Sequence, residues 1–433
     1  MTTFTAMPKY EVYKDSGVEW LGDVPSHWVI QKMKFLFTDT SIKNKADQTL
    51  LSVTQDQGVV PRDWVENRMV MPSGNLESFK YIQEGDFAIS LRSFEGGLEY
   101  CHHDGIISPA YTVLKKNRDD LVNSFYKYLF KSQTFISELQ TSIVGIREGK
   151  NISYEELRYS YLPIPKKSEQ TTIANFLDEK TAKIDEAIAI KEKQIELLKE
   201  RKQIIIQQAV TQGLDPTVPM KDSGVEWIGK IPAHWEVKKL KYLGKSIIGL
   251  TYSPSDLYGE NGGTLVARSS NLFEGKFKYG EKENVYVRCR IPSHLLLRKG
   301  DILICSRNGS RDLIGKCAYV SCVDEGNSFG AFTTVFRSNM NEYLFHILNS
   351  DIFKMLSGSF LTSTINQLTI NNLNSIAVPL PPIPERLVII NYLSEISERF
   401  DKSMELLFKQ IEKLKEYKTT LINSAVTGKI KVV

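Results

Sequence analysis

The chain has 433 residues, enough for two to four domains at roughly 150 residues each. Its 42% apolar and 24% charged residues are ordinary for a globular protein, and a formal charge of +4 permits nucleic-acid binding without arguing for it. No apolar run approaches the roughly 20 residues of a membrane-spanning helix, and Met1–Tyr10 lacks the apolar core of a signal peptide.

The first legible element is Lys14-Asp15-Ser16-Gly17-Val18-Glu19-Trp20-Leu21-Gly22, followed by Pro25, His27, Trp28, Lys32 and Lys34. In residues 37–162, Thr49–Thr54 reads as a strand before a polar turn at Gln55–Gly58. Glu84–Arg92 reads as a Gly-Asp turn and a strand ending on arginine. A polar loop and a short helix-like stretch, Arg147–Leu157, follow. After Pro163-Ile164-Pro165, Ser168–Thr211 contains no Gly or Pro and is rich in helix formers, with Ser168 a candidate N-cap and Gly213 a C-terminal cap. Heptads counted from Ala174 place Leu177, Ile184, Ile188, Ile195 and Leu198 on one apolar seam, with Lys202 at a polar a position.

The opening block then returns 207 residues on, as Lys221–Gly229 with Pro232, His234, Trp235, Lys239 and Lys241. In residues 244–378, Thr264–Arg268 and Lys299–Arg307 echo the two earlier strands, and Thr362–Leu373 closes the segment as Arg147–Leu157 does. Pro379-Leu380-Pro381 with Glu385 repeats Pro163-Ile164-Pro165 with Glu169. A second helix follows, 216 residues from the first, its seam carrying Leu393, Phe400, Leu407, Ile411 and Leu414, with Lys418 matching Lys202 and Gly428 matching Gly213. The chain is therefore a frame written twice around two unlike inserts, and such repetition predicts pseudo-two-fold symmetry. Two helices with seams in one phase predict antiparallel pairing with each other, against the alternative that each packs on its own domain.

The expected organisation is 1–162, first frame and insert; 163–213, first long helix; 214–378, second frame and insert; 379–433, second long helix. Arginine pairs bidentately with guanine, and asparagine with adenine. Candidate DNA-contacting residues are thus Arg62, Arg92, Ser93, Arg147 and Asn151 in the first insert. In the second they are Arg268, Asn271, Arg307, Asn308, Arg311 and Asn366. A surface or salt-bridged role fits the arginines equally from spacing alone.

Motifs for catalysis are weak. Glu148-Gly149-Lys150 and Glu274-Gly275-Lys276 have the outline of a nuclease centre but lack an acidic partner and fall at non-equivalent points. Gly309–Lys316 has the wrong spacing for a phosphate loop, and Cys101-His102-His103 cannot easily converge on one metal ion. Cys101, Cys289, Cys305, Cys317 and Cys322 form an odd, unpatterned set, which points to free thiols in a reducing cytoplasm.

Two Trp–Gly–Pro–His–Trp frames, two inserts and two matched helices together resemble the specificity subunit of Type I restriction–modification enzymes, along the whole chain. The resemblance implies an α+β fold in which two β-rich target recognition domains are separated by two long antiparallel coiled-coil helices. It implies a non-catalytic subunit that reads one half of a split, asymmetric double-stranded DNA site with each domain. The implied partners are two modification (methyltransferase) subunits carrying S-adenosylmethionine, and restriction (nuclease/translocase) subunits using ATP and Mg. In this light Trp20, Trp28, Trp227 and Trp235 either pack the frame against the helices or contact the modification subunits. A stand-alone DNA-modifying enzyme and a scaffold that does not touch DNA are the alternatives.

Overall fold

A computed structural model of the chain describes residues 7–65, 75–90, 93–144, 151–259, 262–360 and 366–432. It divides into two compact units, Met1–Lys191 with Phe408–Val433, and Glu192–Leu407. These units cut across the linear halves, because each takes one end of both long helices. Among the described residues no helix is long and apolar enough to cross a membrane.

Each unit contains one copy of the frame, and its local chemistry explains the repeated motif. Strands Tyr13–Asp15 and Asp23–Pro25 pair antiparallel, as do Met220–Asp222 and Lys230–Pro232. In the connecting turns the carboxylates of Asp15 and Asp222 accept from the Gly17 and Gly224 amides at 2.9 and 2.8 Å. The hydroxyls of Ser16 and Ser223 accept from the amides of Val18 and Val225 at 3.1 Å. Gly17 and Gly224 sit at φ +68° and +72°, where a side chain is disfavoured. Asp-Ser-Gly is therefore a turn signature and not a binding motif.

The inserts share a sheet despite their divergence. In the first unit four antiparallel strands lie in the order Phe37–Thr40, Thr112–Lys116, Phe87–Ile89, Glu99–Tyr100. In the second the order is Lys245–Ile248, Thr333–Arg337, Ile302–Cys305, Cys317–Tyr319. The first unit buries Phe37, Phe87, Tyr126 and Phe130 against each other, largely edge to face, and Trp28 packs edge-on against Phe125. Tyr126 donates to the Pro163 carbonyl and Tyr343 to the Pro379 carbonyl, both at 3.1 Å, so each insert is tied to its frame in the same way.

Frame and helix are joined by strand Val29–Lys32 on Tyr161–Ile164, and by Glu236–Lys239 on Ala377–Leu380. Each second strand runs into a long helix, Lys167–Gln212 or Ile383–Val426. The first helix starts one residue before Ser168, which lies inside the first turn rather than capping it. Its 46 residues make about 70 Å of helix. Gly213 and Gly428 end the two helices at φ +76° and +72°. A Cβ on Gly428 would come within 2.3 Å of Pro25, so only glycine lets the helix end close on the frame.

The seam is buried as the heptads predict. Leu177, Ile184, Ile188, Ile195, Leu393 and Ile411 are buried, and Leu198, Phe400, Leu407 and Leu414 are half-buried. In the first unit Lys418 binds Asp185 at 2.7 Å and Lys191 binds Gln410; in the second Lys202 binds Asp401 at 2.7 Å. The residue numbers rise on one helix as they fall on the other, so the helix ends in each unit run antiparallel. Asp185 and Lys202 are the repeat equivalents of Asp401 and Lys418. Such exposed or half-exposed pairs contribute only about 0–1 kcal/mol each; the apolar seam stabilises the pairing, and the two lysines fix its register.

Glu169, in the first turn of its helix, accepts from Tyr10, His27 and Trp28 at 2.6, 2.9 and 3.0 Å. Burial alone would raise its carboxyl, but the hydrogen bonds from Tyr10, Trp28 and His27 outweigh it and hold the group below the usual carboxylate range. Stability from this depressed group is present at neutral pH and lost as pH falls through its folded value. Glu169→Ala, which strands three donors, should therefore lower unfolding stability in urea by about 3 kcal/mol near pH 7. The deficit should shrink in acid; an equal deficit at pH 7 and pH 3 would exclude the carboxylate as its source. Glu385 accepts from His234 at 2.7 Å but not from Trp235, so the same change there should cost less.

Candidate nucleic-acid interface

The C-terminal ends of strands Thr264–Ala267 and Ile302–Cys305 open into loops that the structure ties together. The amide of Asn308 donates to Ser269 at 2.9 Å, and Asn366 donates to the Gly309 carbonyl at 3.2 Å. The Ser306 and Arg307 amides both donate to the Phe332 carbonyl, at 3.1 and 2.9 Å. Arg307 forms a bridge with Gln367, and the Leu368 amide donates to the Ser306 carbonyl. Arg307, Asn308, Asn366 and Ser269 thus gather at one end of the second unit's sheet, and Arg311 follows in the same loop, in the turn Arg311–Leu313. Arg307 and Arg311 are exposed; Asn308 and Asn366 are half-buried.

Two other predicted residues hold this surface from beneath. Asn271 is fully buried; its side chain accepts from the Arg268 amide and donates to the Lys278 carbonyl. It has no surface to offer DNA, contrary to the expectation from its residue type. Arg268 is half-buried and donates to the Glu283 carbonyl at 3.1 Å, so part of its donor fork is already committed.

In the first unit, Arg62 is half-buried and donates to the hydroxyl of Ser52. Ser93 is wholly buried, where its hydroxyl accepts from the Ser90 amide at 2.8 Å; the expectation of a DNA contact there is likewise corrected. Asn151 pairs with Val144 in a short strand. Arg92 and Arg147 lie outside the described residues, as does Glu148-Gly149-Lys150.

The frame tryptophans divide. Trp28 and Trp235 are completely buried and cannot touch a partner, which leaves internal packing as their role. Trp20 is half-buried, edge-on to Phe135, and Trp227 is half-buried against the second unit's core. Exposed apolar side chains lie instead on the helices: in the second unit Leu197 and Ile204, seven residues apart, and Leu406. Sequence reasoning followed the seam and passed over this outer row, although its heptad spacing was there to count.

Two of the motifs set aside for catalysis have structural settings. Glu274 and Gly275 form the positive-φ turn of a hairpin between Leu272–Phe273 and Lys276–Phe277. Cys101 is buried with its thiol donating to the His103 carbonyl, and burial pushes that thiol up to about 12. No group of three or more His, Cys, Asp or Glu side chains that could hold a metal ion occurs among the described residues.

The sequence profile of the Type I restriction modification DNA specificity domain matches residues 232–416. The chain is 24% identical to a putative type I restriction enzyme MjaX specificity subunit of Methanocaldococcus jannaschii, over 95% of this chain and 96% of that one. It is 26% identical to the MjaVIII specificity subunit of the same organism, over 81% and 80%. Among solved structures it resembles a chain from a study of complex assembly and conformational transition of the type I R-M system, with TM-score 0.71, 14% identity and 93% and 98% coverage. It also resembles the HsdS subunit of Thermoanaerobacter tengcongensis, with TM-score 0.50, 15% identity and 94% and 98% coverage. Duplicated frames, matched sheets and two long helices are the architecture this chain shares with those structures. Along nearly its whole length the chain is thus similar to specificity subunits of type I restriction enzymes, and its residues 232–416 match the DNA specificity domain of that class.

Proposed function

We propose that each unit reads one half of a split, asymmetric site in double-stranded DNA, and that the paired helices set the gap between the half-sites. The observation that carries this reading is that one frame and one sheet order support two unlike sets of end loops. Identical supports with different reading edges are what two different half-sites require. The chain would then act in the cytoplasm, docked to two modification (methyltransferase) subunits and to restriction (nuclease/translocase) subunits. S-adenosylmethionine would be held by the former, ATP and Mg by the latter, and none of them by this chain. The exposed Leu197, Ile204 and Leu406 are the docking surface we assign to a modification subunit, in place of the buried Trp28 and Trp235.

The test is selection of randomised duplex DNA by this chain co-purified with its modification subunit. Two short, unlike half-sites at one fixed gap are expected. A complex that assembles but recovers no motif would leave a scaffold role. Affinity should fall steeply with salt, since phosphate contacts release counterions.

A further inference from the structure

Among the candidate contacts of the second unit, Arg307 has a distinct setting. Its main chain is fixed by the hydrogen bond to Phe332 and the bridge to Gln367, and its neighbour Asn308 is pinned to Ser269. Its guanidinium carbon lies over the Phe332 ring, 5.2 Å from the centre. Phe332 is 60% exposed, an unusual position for a phenylalanine flanked by Ala331 and Thr333 at the mouth of a strand. No carboxylate among the described residues pairs with Arg307, whereas Arg337 of the same sheet is committed to Asp301 at 2.6 Å.

These features serve one purpose. A ring against the face of a guanidinium leaves its N–H donors, which lie in the plane, pointing outward. Two in-plane donors match the O6 and N7 acceptors that only guanine presents side by side in the major groove. A phosphate contact would need the charge but neither the aromatic neighbour nor the fixed backbone. Resting on the DNA-reading function proposed above, we infer that Arg307 reads a guanine in the half-site of the second domain. Phe332 is the positioning residue that holds the guanidinium for it.

The experiment is the same selection, run in parallel on the wild-type complex and on complexes carrying Arg307→Ala, Arg307→Lys and Phe332→Ala. Salt-dependent affinity for the selected site is measured alongside. Arg307→Ala should erase one guanine from one half-site, leave the other half-site unchanged, and weaken binding about 10- to 100-fold. Arg307→Lys should lose the same guanine while keeping the salt slope, because the charge survives and the fork does not. Phe332→Ala should relax that one position and no other, which a general folding defect would not do. An unchanged motif overturns the proposal. So does an even loss over all sequences with a salt slope reduced by about one, which marks a phosphate contact. A wild-type complex that selects no two-part site would instead defeat the DNA-reading function itself.

Discussion

A chain in which residues 244–374 are replaced by a copy of residues 37–158 will select the first half-site twice, in inverted orientation, and no longer select the second. The frames at the cut points are equivalent, so the transplanted insert meets the environment it left. Strand Glu236–Lys239 keeps its pairing with Ala377–Leu380, and neither strand is altered. The insert brings Tyr126, which donates to Pro163 in its own unit, to the place where Tyr343 donates to Pro379. Its first strand, Phe37–Thr40, takes the edge position that Lys245–Ile248 holds in the same sheet order. Residues that bridge insert and helix are the main cost. Tyr343 also donates to the Val210 carbonyl, and the Asp351 amide donates to the Gln203 side chain. Losing such contacts lowers stability by about 1 kcal/mol each without touching the reading edge. The readout is selection from randomised duplexes. A hybrid that kept two unlike half-sites would show that the inserts do not carry specificity.

The repeated elements were legible in the sequence because repetition supplies its own alignment. The frame, both long helices, their terminal glycines and the seam all follow from residues that recur at fixed offsets. The register device was visible as Lys202 and Lys418, but their partners Asp185 and Asp401 were not, because antiparallel pairing sets residues distant in sequence side by side. The shared sheet was only half legible: Gly-Asp at the head of Phe87–Ile89 and Ile302–Cys305 marks one strand of four in each unit. The site fared worst. Residue type singled out Ser93 and Asn271, yet burial turns both inward as loop supports. Phe332 was missed because an aromatic side chain before a strand reads as core, and only its exposure shows otherwise. The tryptophans misled for the opposite reason, since a repeated aromatic residue marks repeated packing as readily as a repeated partner.

Removing residues 188–194 from the first helix together with 409–415 from the second should shorten the preferred gap by about three base pairs. Seven residues are about 10 Å of helix, and a base-pair step is roughly 3.4 Å. The two deletions are matched. They remove the Lys191–Gln410 contact but leave Asp185–Lys418 and Lys202–Asp401 in one common antiparallel register. They also take one whole heptad from each helix, so the flanking seam residues Ile184, Ile195 and Leu407 keep their phase. Three base pairs are nearly a third of a duplex turn of about 10.5. The half-sites would therefore present rotated grooves, and weaker binding should accompany the shorter gap. Deleting either segment alone should be worse. It would shift the two Lys–Asp contacts seven residues out of register with each other, forcing the helices to break one or to bulge. A matched deletion that left the gap unchanged would show that the helices do not set it, and that spacing is imposed by the partners the chain assembles with.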